Sequence, residues 1–265
     1  MAKDSFSLDD FGIVKANTLK EPHSFTIYGP PGKGKSVFAA SISAVQGFER
    51  TLILDTEGGA VSVGAWYPNA DVLQCPTAAM FTKAFEALMN GKLVERESGL
   101  PYQAVIIDTL DKAQARQLEV FSKSPESRTS NGAENPLYKW GAIKTWMEKI
   151  TDAAHQAPFL TIFVVHAEDY KDENNGTVTP TVMLGGASRF NFPSVSDAVG
   201  YFNVVKVKGA DNKTTEHRSV DFRVQQKFVT KQRFEDRLNG VIIDPTMSKV
   251  FEKIRGTATP TTTND

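Results

Sequence analysis

The chain has 265 residues, with 30 Lys+Arg against 31 Asp+Glu and a formal net charge of -1, which excludes a histone-like or basic-tail protein. With 40% hydrophobic and 23% charged residues, it matches neither a disordered chain nor a membrane protein, both of which depart visibly from the globular average. One core is the default at this length, because single cores stop growing at roughly 250 to 300 residues.

Residues 1–22 form a polar arm in which Phe6, Leu8, Phe11, Ile13 and Val14 show no clear period. Ser24-Phe25-Thr26-Ile27-Tyr28 then reads as a buried strand, stopped by Gly29-Pro30-Pro31-Gly32. Val37, Phe38, Ala40, Ile42 and Val45 suit a short helix, and Thr51 to Asp55 a second strand, giving a βαβ unit. The alternation continues with strands over Asp71 to Cys75 and Ala104 to Asp108, and helices over Thr77 to Asn90 and Leu110 to Ser122. A Ser/Asn/Gly-rich connection covers 122–135, after which Trp140, Ile143, Met147, Ile150 and Ala154 mark one face of a helix ending near His155. Phe159 to Val165 is the next buried strand and ends at His166; residues 167–193 lose periodicity and read as a long irregular stretch. From Ala198, Val199, Tyr201, Val204, Val205 and Val207, then Val220, Phe222 and Val224, suggest antiparallel strands around a turn at 209–212. Thr257 to Asp265 is a polar, Thr-rich tail. No internal repeat is visible. The fold class expected is α/β, a mainly parallel sheet between helices with a C-terminal antiparallel β extension.

The most specific string is Gly29-Pro30-Pro31-Gly32-Lys33-Gly34-Lys35-Ser36, followed by Val37. It fits the P-loop pattern and lies where the mechanism needs it, between a buried strand and a helix. Its glycines let successive N–H groups face phosphate oxygens, Lys35 reaches the β and γ phosphates, and the Ser36 hydroxyl is a ligand for Mg²⁺. Val105-Ile106-Ile107-Asp108 supplies the second acidic centre of such a site, Asp108, at the end of another buried strand. In AAA+ ATPases a glutamate normally follows that aspartate; here Thr109 does, and Glu57 in Asp55-Thr56-Glu57-Gly58-Gly59 is the alternative base.

With these motifs in place the chain resembles the RecA-like recombinase ATPases, and within them the phage-encoded Sak-type single-strand annealing proteins. Tyr28 to Ser36, Asp55 to Gly59, Ile107 to Thr109, Val164 to His166 and Lys231-Gln232-Arg233 carry the resemblance, in order, over about residues 24–245. It implies a RecA-like P-loop core over 23–255, between the arm 1–22 and the tail 256–265. It also implies ATP and Mg²⁺ as cofactors, Lys35, Glu57, Asp108 and His166 as catalytic residues, and Ser36 and Asp108 at the metal. Glu57 would polarise the attacking water and His166 would sense the γ-phosphate. Lys231 and Arg233 would reach the nucleotide of a neighbouring subunit, in a homo-oligomeric ring or filament. Each role has a plainer rival: a turn cap for Glu57, a strand-end carboxylate for Asp108, hydrogen-bonded structure for His166, and a solvated edge strand for Lys231 and Arg233.

In RecA-like filaments the loop after the sensor strand binds single-stranded DNA. Here it contains Arg189, Phe190 and Phe192, a cation and two aromatics of the kind that stack on bases. Core packing of the two phenylalanines is the competing reading, and Glu168, Asp169, Asp172 and Glu173 oppose the DNA-channel one. The function expected is therefore a DNA-stimulated ATPase in phage recombination, promoting annealing or strand exchange, with a single-strand-binding protein as a candidate partner. A nucleotide-switched annealing module with dispensable hydrolysis, and an AAA+ type loader of a replication protein, are the alternatives. Thr109 and the strand-rich late chain argue against the loader, and a small-molecule kinase is weaker still.

Cys75 is the single cysteine, which excludes an intrachain disulfide and a multi-thiolate zinc site and points to a reducing cytosol. The N-terminus has no apolar run of signal-peptide length, and stretches such as Leu160 to Val165 are far too short to span a bilayer. A cytoplasmic protein without a membrane partner is expected. The near-zero charge is an average: residues 201–255 hold 12 Lys+Arg against 7 Asp+Glu, a net of +5, leaving -6 for the rest. A local, salt-sensitive contact with a polyanion fits that distribution.

Overall fold

The computed structural model describes residues 23–173, 176–208, 212–225, 227–234 and 237–256. The N-terminal arm, the tail from Thr257 and most of the turn at 209–212 lie outside the described residues.

Six parallel strands form the centre of the sheet, in the order β3 (Asp71–Gln74), β2 (Thr51–Asp55), β4 (Ala104–Asp108), β5 (Leu160–Lys171), β1 (Ser24–Gly29) and β7 (Ala198–Lys208). Beyond β7 the sheet turns antiparallel, through β8 (Thr214–Asp221) and β10 (Val241–Ile243), and β9 (Lys231–Gln232) pairs with the start of β7. This is the parallel core with an antiparallel C-terminal extension that the alternation predicts. β1, β2 and β4 are buried at every residue, as strands covered on both faces must be.

The period of two sorts their side chains into two cores. Tyr28, Leu54, Val105, Ile107, Phe163 and Val165 face one side, under α3 (Ala78–Met89), α4 (Leu110–Ser122) and α5 (Pro136–Gln156). Phe25, Ile27, Ile53, Ile106, Ile162 and Val164 face the other, under α1 (Lys35–Ala40), its following 3-10 turn (Ser41–Ala44) and α7 (Met247–Arg255). The single turn α2 (Val61–Gly64) follows β2. Helix starts are set by local chemistry: the side chains of Thr77, Asn135 and Thr246 each accept a backbone N–H of the first turn, and Pro136 occupies the first position of α5.

Two expectations change. The stretch 167–193 is mostly regular, because β5 runs on to Lys171 and folds back as a hairpin onto β6 (Val178–Val182), and α6 (Ser188–Val195) follows. The exposed half of that hairpin is held by main-chain bonds, so its charged side chains hide the strand from a hydrophobicity reading. The late chain also contains α7, whose Met247, Val250, Phe251 and Ile254 are buried at helical spacing between a Thr246 cap and Gly256. Among the described residues, no helix is long and apolar enough to cross a membrane.

At Gly200, near the start of β7, an added Cβ would stand 2.6 Å from the Phe222 ring and 2.8 Å from a Val220 methyl. Both side chains are fully buried, so neither can swing away. Gly200→Ala should therefore cost about 1–3 kcal/mol of overpacking. A midpoint in urea unchanged from the wild type would show that β7 and β8 pack less closely than this.

Candidate active site

Strand register assembles the site. Gly29, the last residue of β1, pairs with His166; Asp108, the last of β4, pairs with Val164 of β5 and with Asp55, the last of β2. The phosphate loop, Asp108, the Asp55–Gly59 turn and His166 thus emerge side by side at the C-terminal edge of neighbouring parallel strands, where α/β sheets bind ligands.

The loop from Gly29 to Ser36 leads directly into α1, with Gly34 in the left-handed region at φ 100°. Pro31 and Gly32 are exposed and Lys33 and Val37 partly so, whereas Lys35 is buried. The Lys35 ammonium donates to the carbonyls of Gly29 and Pro30, both at 2.9 Å. An ammonium has three N–H groups, so one is left for a further acceptor. Burial lowers the Lys35 pKa, opposed by the negative charges of Asp108, Asp111 and Glu57. Asp108 shows the converse: burial pushes its carboxyl up to about 6, helped by Asp55 and Glu57 and opposed by the Ser36 hydroxyl bond and by Lys35.

Asp55, legible in the sequence only as part of its motif, anchors the turn that carries Glu57. Its Oδ1 accepts the N–H groups of Glu57, Gly58 and Gly59 at 3.1, 2.7 and 3.3 Å, and its Oδ2 that of Ala60 at 3.1 Å. Thr56 ties the same turn to β4: its N–H donates to the Asp108 carbonyl at 2.7 Å, its hydroxyl donates to the Thr109 carbonyl at 2.7 Å, and it accepts from the Thr109 N–H at 2.9 Å. The capping role considered for Glu57 thus belongs to Asp55. The Glu57 carboxylate is 40% exposed and lies 3.7 Å from Nε2 of His166. His166 is held from behind by Asp111 of α4, a residue the sequence reading passes over as one more helix charge.

Ser36 and Asp108 fit a hard cation: the hydroxyl hydrogen-bonds the carboxylate, placing two oxygen ligands together beside the phosphate loop. Among the described residues, no group of three or more His, Cys, Asp or Glu side chains could hold a metal. A metal ion here would complete its shell with phosphate oxygens and water, as Mg²⁺ does.

A cleft of about 180 Å³ opens beside the loop, between Gly34 and Val37 on one side and Trp66, Tyr67, Arg218 and Asp244 on the others. Arg218 comes from β8, and its Nε lies 3.0 Å from the position a Cβ on Gly34 would take. Trp66 is 67% exposed. Neither residue stands out in the sequence, because an exposed charge on an edge strand and a tryptophan after a short turn carry no motif.

Other predicted residues lie elsewhere. Phe192 is 3% exposed and packs edge-on against Phe163; the apolar face of α6 takes it into the core, so it offers no stacking surface. Arg189 is paired with Glu168 at 2.8 Å and sits 5.6 Å over the Tyr170 ring. Phe190 is 59% exposed, edge-on to Tyr170. Lys231 opens β9 and Arg233 follows it; the strand pairs with Ala198 and Val199 at the opposite edge of the sheet from the loop. There Lys231 donates to the Ser194 carbonyl and Arg233 pairs with Asp197 at 3.0 Å. They do not join the site within one chain.

The raised Asp108 carboxyl has a stability consequence. An unfolded chain releases this proton near pH 4, the folded one near pH 6, so the residue costs stability as pH rises through that window and keeps the cost above it. Two pH units correspond to about 3 kcal/mol. Asp108→Asn should raise the melting midpoint at pH 7.5 by about 5 °C, with the gap closing toward pH 4. A gap independent of pH would remove burial as its cause.

A sequence profile of the AAA domain matches residues 21–234. No curated protein matches the chain. Among solved structures, one described as the RadB recombinase is similar at 12% identity, over 76% of this chain and 80% of that one, with a TM-score of 0.44. The profile match spans the phosphate loop, the Asp55–Gly59 turn, Asp108 and His166, and by it the chain belongs to the AAA domain family.

Proposed function

We propose that the protein is a Mg²⁺-dependent ATPase of RecA-like type that acts on single-stranded DNA in phage recombination. The observation that carries the reading is the convergence of Lys35, Ser36, Asp108, Glu57 and His166 at one sheet edge. On binding, the phosphates would take the Lys35 N–H bonds now made to Gly29 and Pro30. Mg²⁺ held by Ser36 and Asp108 would supply charge neutralisation at the β and γ phosphates. Glu57, partly exposed beside His166, is placed to draw a proton from the attacking water. The cleft at Trp66 and Arg218 receives the rest of the nucleotide.

Phe190, Tyr170 and Arg189 support a DNA contact. Together they present an exposed aromatic edge with a guanidinium, sequence-tolerant chemistry for stacking on bases. Lys231 and Arg233 would meet a nucleotide only across an interface between chains, so the trans role goes with a homo-oligomer. Membership of the AAA domain family keeps a second reading, a loader or remodeller of a replication protein.

ATP turnover should rise severalfold on adding single-stranded DNA, and Phe190→Ala should lose most of that rise while keeping the basal rate. Equal turnover with and without DNA would remove the DNA reading. Lys35→Ala should abolish nucleotide binding, whereas Glu57→Gln should bind ATP with near-normal affinity and hydrolyse it roughly 10² to 10⁴ times more slowly. Full turnover in the glutamine variant would take Glu57 out of the mechanism.

A further inference from the structure

Asp111 lies in the first turn of α4, three residues after Asp108, is 6% exposed, and gives both carboxylate oxygens to one residue. Oδ1 accepts the backbone N–H of His166 at 3.0 Å, and Oδ2 lies 3.0 Å from its Nδ1. Burial would raise this carboxyl, but the hydrogen bonds from His166 hold it below the usual carboxylate range. It is ionised at neutral pH and can only accept. Nδ1 must therefore carry a proton, and in the neutral ring Nε2 is left as a lone pair. That nitrogen points toward the solvent side of the site, where Oε2 of Glu57 stands 3.7 Å away.

We propose that Asp111 and His166 form a proton relay for nucleotide hydrolysis, with Asp111 as the positioning residue and His166 Nε2 as the acceptor of the proton that Glu57 draws from water. The proposal rests on the ATPase reading above. The water oxygen forms a bond to the γ-phosphorus while the bond from phosphorus to the β–γ bridging oxygen breaks, its electron pair remaining on ADP. The water proton moves to Glu57 and then to Nε2, giving an imidazolium whose Nδ1–H is bonded to the Asp111 carboxylate. His166, whose side chain is 13% exposed, returns the proton to solvent as phosphate leaves. The relay frees Glu57 to act again, and the two fixed bonds to Asp111 keep the ring from turning away.

The Asp111→Asn variant tests this, because its geometry forces a change of tautomer. The amide oxygen must stay on the backbone N–H of His166, which can only donate; the amide NH₂ then faces Nδ1, and the ring proton moves to Nε2. The chain has four histidines, so ¹⁵N-histidine labelling of the full-length protein, with His166→Gln to assign the signal, reads the tautomer directly without nucleotide. We expect the neutral ring to carry its proton on Nδ1, with Nε2 bare, in the wild type, and the reverse in Asp111→Asn. The variant should also lose turnover roughly 10- to 100-fold, with KM for ATP within about twofold and an unchanged melting midpoint. A neutral wild-type ring bearing its proton on Nε2 overturns the proposal, as does an unchanged tautomer or full turnover in the variant. A wild-type protein that does not hydrolyse ATP overturns the ATPase reading and the relay together; wild-type turnover with a fully active Asp111→Asn overturns the relay alone.

Discussion

The buried Lys35 ammonium faces the carboxylates of Asp108, Asp111 and Glu57, whose negative charges favour its protonated form, and its own charge opposes the rise of the Asp108 carboxyl. Gathering several acids at one sheet edge is unfavourable by itself: each loses hydration and each repels the others. Lys35 offsets part of that cost, and the remainder is visible in the raised Asp108 carboxyl. The site is therefore held short of positive charge, which is the electrostatic setting in which a divalent cation bound with a nucleotide gains most.

Two kinds of restraint keep these charges where they are. Parallel register fixes the strand ends, because Gly29 with His166 and Asp55 with Asp108 are pairs in one sheet whose two faces are both buried. Side chains then fix what lies beyond the ends: Asp55 gathers four N–H groups of the Glu57 turn, Thr56 bolts that turn to Thr109, and Asp111 clamps His166. The groups assigned to chemistry, Glu57 and Nε2 of His166, are the ones these restraints leave facing outward. Rigid support with a small exposed working surface is the arrangement that catalysis by preorganised groups requires.

The two hairpins that rise past this edge have a different character. β5 with β6, and β7 with β8, are buried near the core and exposed toward their tips. Arg218 on β8 and Tyr170 on β5 lie on these extensions, and Phe190 of α6 packs edge-on to Tyr170, so nucleotide and polymer contacts are both assigned to elements grafted on the parallel core. Within one chain, Lys231 and Arg233 belong to the far end of β7, where their contacts with Ser194 and Asp197 fasten β9 to the sheet.

The sequence by itself determined the parallel core and the centre of the site. Gly29 to Ser36, Asp55 to Gly59 and Asp108 are short contiguous strings at strand ends, and the spacing of buried aliphatics fixes the strands that carry them. Local chemistry sufficed there because a glycine-rich turn and a strand-end acid depend only on their neighbours in the chain. Tertiary structure decided the rest. Asp111 looks like any helix charge until β5 brings His166 to it across 55 residues; Arg218 looks like an edge-strand cation until β8 lies against Gly34. Phe190 and Phe192 are two residues apart and alike in type, yet α6 turns one outward and buries the other. A residue's type fixes what it can do, but its partner fixes what it does, and these partners are chosen by strand order and helix phase.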